Sequence, residues 1–240
     1  MTDDKGKGVD ISVIVPCYNE AENIEPLVRE ICEVLRPLGR PFEILYVDDG
    51  STDGTLEQIR ETANSFPELR SVTHHLNLGQ SAAFMTGFHN TNGQILVTLD
   101  ADMQNDPHDV PRLLEELESC DMVCGVRKKR RDNFIRRAST FIANKVRNFF
   151  LKDGIIDSGC GFRVFRRRVL IQLIAFKGLH RFLPTLCRIH GFKIKQIPVN
   201  HRPRYKGVSK YGISNRLFVG VHDMFAIHWY RKRHIPVKRK

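Results

Sequence analysis

The sequence predicts an α/β domain built on a mainly parallel sheet with helices on both faces. Short apolar runs alternate with amphipathic helical patterns through the first half of the chain, the signature of such a sheet. The run Ile95–Leu99 is apolar but for Thr98, as suits a strand buried on both faces. Successive apolar runs end in polar or acidic residues, at Tyr18–Asn19–Glu20, Asp48–Asp49 and Asp100–Ala101–Asp102. Open α/β sheets bind ligands at the carboxyl ends of their strands, so these ends are expected to share one site.

Taken in order, Ile11–Val15 reads as a strand closed by Pro16. Ile24, Leu27, Val28, Ile31, Val34 and Leu35 recur at helical spacing, giving an amphipathic helix over about 20–36 that Pro37, Gly39 and Pro41 stop. Phe42–Val47 is the next strand, followed by Asp48–Asp49–Gly50–Ser51 and a helix carrying Leu56, Ile59, Ala63 and Phe66. Leu69–Thr73 is a weaker strand. The helix from Gly79 to about Phe88 carries Ala82, Ala83 and Gly87, small enough for close packing. After the strand over 95–99, Asp106 is placed as an N-cap with Pro107 in the first helical turn. Val110, Leu113, Leu114 and Leu117 mark that helix, and Asp121–Gly125 the following strand.

The second half is less regular. A helix with Phe134, Ala138, Phe141, Ile142, Lys145 and Phe149 is expected, then a Gly-rich turn at Asp157–Arg163 leading into Val164–Phe165. Helices over about 167–175 and 182–189 precede a strand within Phe192–Val199 and a polar segment, His201–Tyr211, where Gly207 permits a tight turn. Near the C-terminus, Leu217, Val221, Phe225 and Trp229 share one helical face. The 14 or so residues between Arg216 and Arg231 span about 21 Å, short of the roughly 30 Å of a bilayer core, and Asp223 interrupts them. Trp229 and Tyr230, followed by Arg231, Lys232 and Arg233, suit a helix lying in the membrane interface. The alternative is a helix packed on the domain with a solvated basic tail. The expected organisation is a frayed N-terminus over 1–10, one domain over 11–212, and an amphipathic helix with a basic tail over 213–240.

Charge is divided sharply along the chain. Residues 1–124 hold 8 Lys/Arg against 23 Asp/Glu; residues 125–240 hold 30 against 4, within a net charge of +11. A basic half of this kind points to a polyanionic partner: phosphates, an anionic membrane surface or nucleic acid. Nucleic acid is the weakest of these, because the Lys/Arg stretches lack recurring aromatic stacking partners. The six cysteines show no metal-type spacing and read as buried free thiols of a reducing cytosol. No signal peptide, internal repeat or P-loop is evident. Asp100 and Asp102 would repel each other unless a cation joins them, and hard carboxylate oxygens suit Mg²⁺ or Mn²⁺.

The ordered set Val15–Pro16–Cys17–Tyr18–Asn19–Glu20, Val47–Asp48–Asp49–Gly50–Ser51, Asp100–Ala101–Asp102–Met103–Gln104 and Arg204–X–X–Gly207–X–Ser209–Lys210–Tyr211 resembles glycosyltransferase family 2. Within that family it looks like the polyprenyl-phosphate branch, that of dolichol-phosphate mannosyltransferase and bacterial undecaprenyl-phosphate transferases. The resemblance covers about residues 11–215. It implies a GT-A, Rossmann-like fold, a nucleotide-diphosphate sugar donor (GDP-mannose or a UDP-sugar), Mg²⁺ or Mn²⁺, and a polyprenyl or dolichyl phosphate acceptor, with inverting transfer at the cytoplasmic membrane face.

Carried over by motif, Pro16, Tyr18, Glu20, Val47 and Asp49 would hold the nucleoside. Asp100, Ala101 and Asp102 would meet the diphosphate and metal, with Gln104 assisting. Arg127, Arg204 and Lys210 would contact phosphates, and Arg136, helped by Ser139 or Thr140, the acceptor phosphate. Asp157 either orients the acceptor or acts as a base; otherwise it caps the turn at Gly159 and pairs with Arg163. Arg163 carries the same ambiguity, while Arg166–Arg168 reads as a solvated face. Many bacterial relatives continue into membrane-spanning helices, so lipid access here is expected from the interfacial helix or from a partner membrane protein. A family 2 enzyme with a hydroxyl acceptor is the alternative, and it would need Asp157 as its base.

The chemistry of the reaction points the same way. Cleaving a sugar–diphosphate bond leaves a nucleoside diphosphate that gains charge, which cations stabilise. A lipid phosphate is already anionic and needs little help from a general base. It needs positive charge to hold it beside a negative donor, which the second half of the chain supplies.

Overall fold

A computed structural model describes residues 8–128, 147–205 and 214–235, without the side chains of residues 172 and 214–219. The strands are β1 (Ile11–Cys17), β2 (Phe42–Asp48), β3 (Leu69–Thr73), β4 (Ile95–Thr98), β5 (Met122–Arg127), β6 (Arg163–Arg166) and β7 (Ile194–Val199). They form one sheet in the order β3-β2-β1-β4-β6-β5-β7. β1 runs parallel to β2 and β4, β2 to β3, and β5 to β7, while β6 is antiparallel to both β4 and β5. The helices are α1 (Ile24–Leu35), α2 (Thr55–Ala63), α3 (Gln80–His89), α4 (Val110–Glu116), α5 (Leu179–Ile189) and α6 (Ser214–Arg233).

Alternation along β1 divides the core into two layers. Ile11, Val13 and Val15 pack with Ile24, Leu27, Val28 and Ile31 of α1 and with Val110 and Leu113 of α4. Ile14 faces the other way, onto Phe84 and Phe88 of α3. The sheet is therefore covered on both faces, as expected of buried parallel strands. Gly87 is what lets α3 lie so close: a Cβ there would fall 2.4 Å from Ile14 Cγ2. The Asp106 cap forms as read, its Oδ1 accepting from the His108 N–H at 3.1 Å.

Elsewhere the structure revises the sequence reading. The segment expected as a helix over 167–175 is a 3-10 turn, Arg167–Gln172. The arginine run at its start, Arg166–Arg168, is not simply solvated. Arg166 donates to the carbonyls of Cys120 and Leu117, and Arg167 to those of Gly93 and Phe88. β6 inserts between β4 and β5, so the strand that carries Arg163 borders the one that leads to Asp100.

The chain leaves β1 toward β2 and β3 on one side, then returns to place β4 on the other. The gap outside the carboxyl ends of β1 and β4 is thus a topological switch point, where open α/β sheets form their crevice. Toward the C-terminus, α6 packs through Met224 and Ile227 onto Leu179, Phe182 and Leu186 of α5.

Candidate active site

The acidic pair lies at this switch point, on a turn the sequence builds tightly. The Asp100 N–H donates to Asn105 Oδ1 at 2.9 Å, and the Gln104 N–H donates to Asp102 Oδ1 at 3.1 Å. Between them Met103 adopts φ of 60°, a left-handed conformation rare for a side chain of this kind. Met103 is nonetheless buried, with Ala101, in the core beneath. Core packing thus holds the turn, leaving the two carboxylates above it.

Asp100 sits under the β6 approach. Gln80 Nε2 donates to its Oδ1 at 3.0 Å. Gly161 passes so close that a Cβ there would fall 2.6 Å from Asp100 Oδ2. Burial pushes the Asp100 carboxyl up, to about 6, and the charge of Asp102 adds to this; Arg163, Arg127 and Gln80 pull the other way. The donor set of two aspartates with Gln104 at hand fits a hard divalent cation.

Arg163 is buried and satisfied by carbonyls rather than by Asp157. Its Nη1 donates to His180 O at 2.7 Å and its Nη2 to Ser158 O at 3.2 Å. His180 O lies one helical turn before Pro184 in α5, and proline has no N–H to give it. The carbonyl left over by Pro184 is thus the anchor for a buried cation beside Asp100.

Arg204 crosses the mouth of the switch point. Its Nη1 donates to Glu20 Oε1 and its Nη2 to Asp102 Oδ2, each at 2.9 Å. The strand ends of β1 and β4 are so joined by one guanidinium. Arg202, just before it, anchors this segment by donating to both Glu30 oxygens at 2.8 and 2.9 Å and to Asp106 Oδ1 at 2.6 Å. Glu30, Asp106 and His108 come close enough together to hold a metal ion. The Arg202 guanidinium already neutralises that cluster, which makes it a fastening for the loop. The Gln104 side chain also faces this segment, donating to Arg202 O at 3.4 Å.

The β1 and β2 ends are stapled together. The Asn19 N–H donates to Ser51 Oγ at 2.8 Å, the Thr52 N–H to Asn19 Oδ1 at 2.7 Å, and the Glu20 N–H to Thr55 Oγ1 at 2.9 Å. Asp49 is buried and holds the loop before α3, accepting from the Leu78 N–H at 2.9 Å, the Gly79 N–H at 2.8 Å and pairing with His74 Nδ1 at 2.7 Å. Val47 is fully buried, its side chain packed with Leu45 and Ala83. Pro16 and Tyr18 are half-buried at the same edge.

Asp157 meets Arg127, the last residue of β5, in a two-pronged pair. Nε donates to Oδ2 and Nη2 to Oδ1, both at 2.7 Å. Of the expected residues, then, the structure joins Glu20, Asp102 and Arg204, and sets Arg127 and Asp157 against each other. Arg136, Ser139, Thr140 and Lys210 lie outside the described residues, as do Gly207, Ser209 and Tyr211. Gln80, Asn105 and Gly161 were not singled out in the sequence; their only signal is nearness to a motif or to a helix start.

A Rossmann-like sheet with an aspartate pair at its switch point and arginines converging on it is the architecture of a GT-A glycosyltransferase. The Glycosyl transferase family 2 profile matches residues 12–174, and the chain belongs to that family. It is 32% identical over 237 residues to the dodecaprenyl-phosphate galacturonate synthase of Rhizobium johnstonii, spanning 96% of this chain and 70% of that protein. It is 34% identical over 203 residues to the undecaprenyl-phosphate 4-deoxy-4-formamido-L-arabinose transferase of Salmonella paratyphi B, spanning 84% of this chain and 62% of that one. The glucosyl-3-phosphoglycerate synthase of Mycobacterium tuberculosis, crystallised with Mn²⁺, UDP and phosphoglyceric acid, shares the fold. Its TM-score is 0.71 at 21% identity, covering 95% of this chain and 80% of the synthase.

Proposed function

We propose that this family 2 glycosyltransferase moves a sugar from a nucleotide-diphosphate donor, GDP-mannose or a UDP-sugar, to a polyprenyl or dolichyl phosphate. The observation that carries the reading is the switch-point cluster, where Asp100 and Asp102 stand beneath Arg204 and beside Arg127 and Arg163. The named relatives in Rhizobium and Salmonella both act on polyprenyl phosphates, which supports the same acceptor class here.

In this reading Asp100 and Asp102 hold a divalent metal, Mg²⁺ or Mn²⁺, with Gln104 alongside; the related synthase was crystallised with Mn²⁺. That cation would offset the charge gathering on the departing nucleoside diphosphate. Arg204, and Lys210 from the same segment, give N–H donors to the diphosphate oxygens. Pro16, Tyr18, Glu20, Val47 and Asp49 form the nucleoside edge, and Ala101 contributes backbone there. An oxygen of the lipid phosphate attacks the anomeric carbon, the bond to the diphosphate breaks with its electron pair on the leaving group, and the configuration inverts. Arg127 contacts the donor phosphates beside Arg204 and Lys210, and Arg136 steadies the acceptor phosphate.

Membrane contact is assigned to α6. Among the described residues no helix is long and apolar enough to cross a membrane. Val221, Phe225 and Trp229 are 44%, 51% and 63% exposed, beside the buried Met224 and Ile227. Phe150 stacks edgewise on Phe225 and on Phe149, extending the apolar stripe. Asp223, the interrupting charge, turns instead toward Arg181 at 3.6 Å. Lys232 and Arg233 follow on the exposed end, each worth about 1 kcal/mol near an anionic surface. The site would then work at the cytoplasmic face of the membrane, by this helix alone or with a partner membrane protein.

The test is direct. Purified protein with Mg²⁺ or Mn²⁺, a polyprenyl phosphate and a panel of nucleotide sugars is expected to yield a glycosylated lipid. Equal turnover on hydroxyl acceptors without lipid would overturn the acceptor assignment.

A further inference from the structure

The Asp157 carboxylate is the acid nearest to being a base in this site, and its surroundings speak against that role. Both of its oxygens are engaged by the Arg127 fork, and Oδ2 also faces the Arg127 backbone N–H at 3.4 Å. The two side chains are only 16% and 11% exposed, so water screens the pair little. Two-pronged arginine–carboxylate pairs are the strongest and most directional of their kind. To take a proton, Asp157 would have to surrender one prong and leave a buried guanidinium partly unpaired.

The other side of the fork explains what the pair is for. It occupies two of the five N–H groups of the guanidinium, leaving the rest for an anion. Arg127 lies within electrostatic reach of Asp100, and so on the metal side of the site. The loop that carries Asp157 continues to Gly161, which rests against Asp100, and is pinned by Arg163 at Ser158 O. One short loop thereby fixes the floor of the site and the direction of its arginine.

Building on the polyprenyl-phosphate reading, we infer that Asp157 is a positioning residue that aims Arg127 at substrate phosphate, and that it accepts no proton during transfer. A phosphate nucleophile brings its own negative charge, so the reaction lacks no base when Asp157 is occupied in this way.

The experiment is a double-mutant cycle of Asp157→Asn and Arg127→Gln, read by steady-state transfer to polyprenyl phosphate across pH. Asp157→Asn is expected to lower kcat/KM roughly ten- to a hundredfold, the usual weight of a hydrogen bond to a charged group. The loss should appear mainly in KM for the phosphate substrates, and the pH profile should keep its shape. In the Arg127→Gln background the same change should cost no more than about twofold, because its route through Arg127 is gone. Two outcomes overturn the inference: losses that multiply, or a kcat collapse with KM intact and the acidic limb of the profile abolished. The double variant, with neither buried charge left alone, is the folding control. If the wild type transfers nothing to polyprenyl phosphate, the acceptor reading fails instead. The same cycle read by calorimetric binding of nucleoside diphosphate with Mn²⁺ then decides the coupling, where additive losses refute it.

Discussion

Arg204 holds the position a cation would take beside Asp102, which leads to a prediction of opposite signs. In the structure its guanidinium bonds Glu20 and Asp102 at 2.9 Å each, and it is 26% exposed. A charge-assisted bond contributes about 1.5–3 kcal/mol, the lower end applying to partly exposed groups. A metal settling on Asp102 must displace one such bond. Arg204→Gln is therefore expected to tighten nucleotide-free Mn²⁺ binding roughly tenfold, at about 1.4 kcal/mol per factor of ten. With UDP or GDP present the same variant should bind the nucleotide more weakly, having lost a donor to its phosphates. Titration of free Mn²⁺ by electron paramagnetic resonance, with and without nucleotide, measures both. Unchanged or weaker Mn²⁺ binding without nucleotide in the variant would refute the competition.

Three further predictions test the frame around the site. Phe165→Ala removes a fully buried ring that packs edgewise on Phe88, and should cost about 3–5 kcal/mol in denaturant unfolding. For Glu43, burial pushes the carboxyl up, but bonds from Ser12, the Asn92 N–H and Arg70 outweigh it and hold it below its ordinary value. Its contribution is thus complete above the unfolded value of about 4.3 and fades as pH falls through the folded one. The stability gap between wild type and Glu43→Gln should be wide at pH 7 and narrow in acid; a constant gap would show that Glu43 does not titrate this way. Trp229→Ser should leave the unfolding temperature nearly unchanged, since this side chain is 63% exposed, yet reduce flotation with anionic vesicles. Undiminished flotation would remove α6 from the membrane contact.

Much of this was legible because the relevant signals are local. The change from apolar run to acid at Leu99–Asp100 is written in consecutive residues, as are the Asp106 cap and the small Gly87 on α3. The sequence was silent or misleading where partners lie far apart. Asp157 reads naturally as the partner of nearby Arg163, but β5 and the Gly-rich turn meet in space, and Arg127, thirty residues away, takes it. Arg163 instead answers a carbonyl that Pro184 leaves open, which no spacing rule reveals. β6 is four residues long, too short for a periodic pattern, and its place between β4 and β5 depends on pairings across the chain. Gln80 meets Asp100 only because α3 packs across the switch point.

The proposal is tested most directly by comparing the wild type with Asp102→Ala in divalent-dependent transfer of sugar to a polyprenyl phosphate. Loss of transfer in the variant, with folding retained and added Mg²⁺ or Mn²⁺ unable to restore it, is the expected result. Undiminished transfer by Asp102→Ala would contradict the assignment of the paired aspartates as the centre of the reaction.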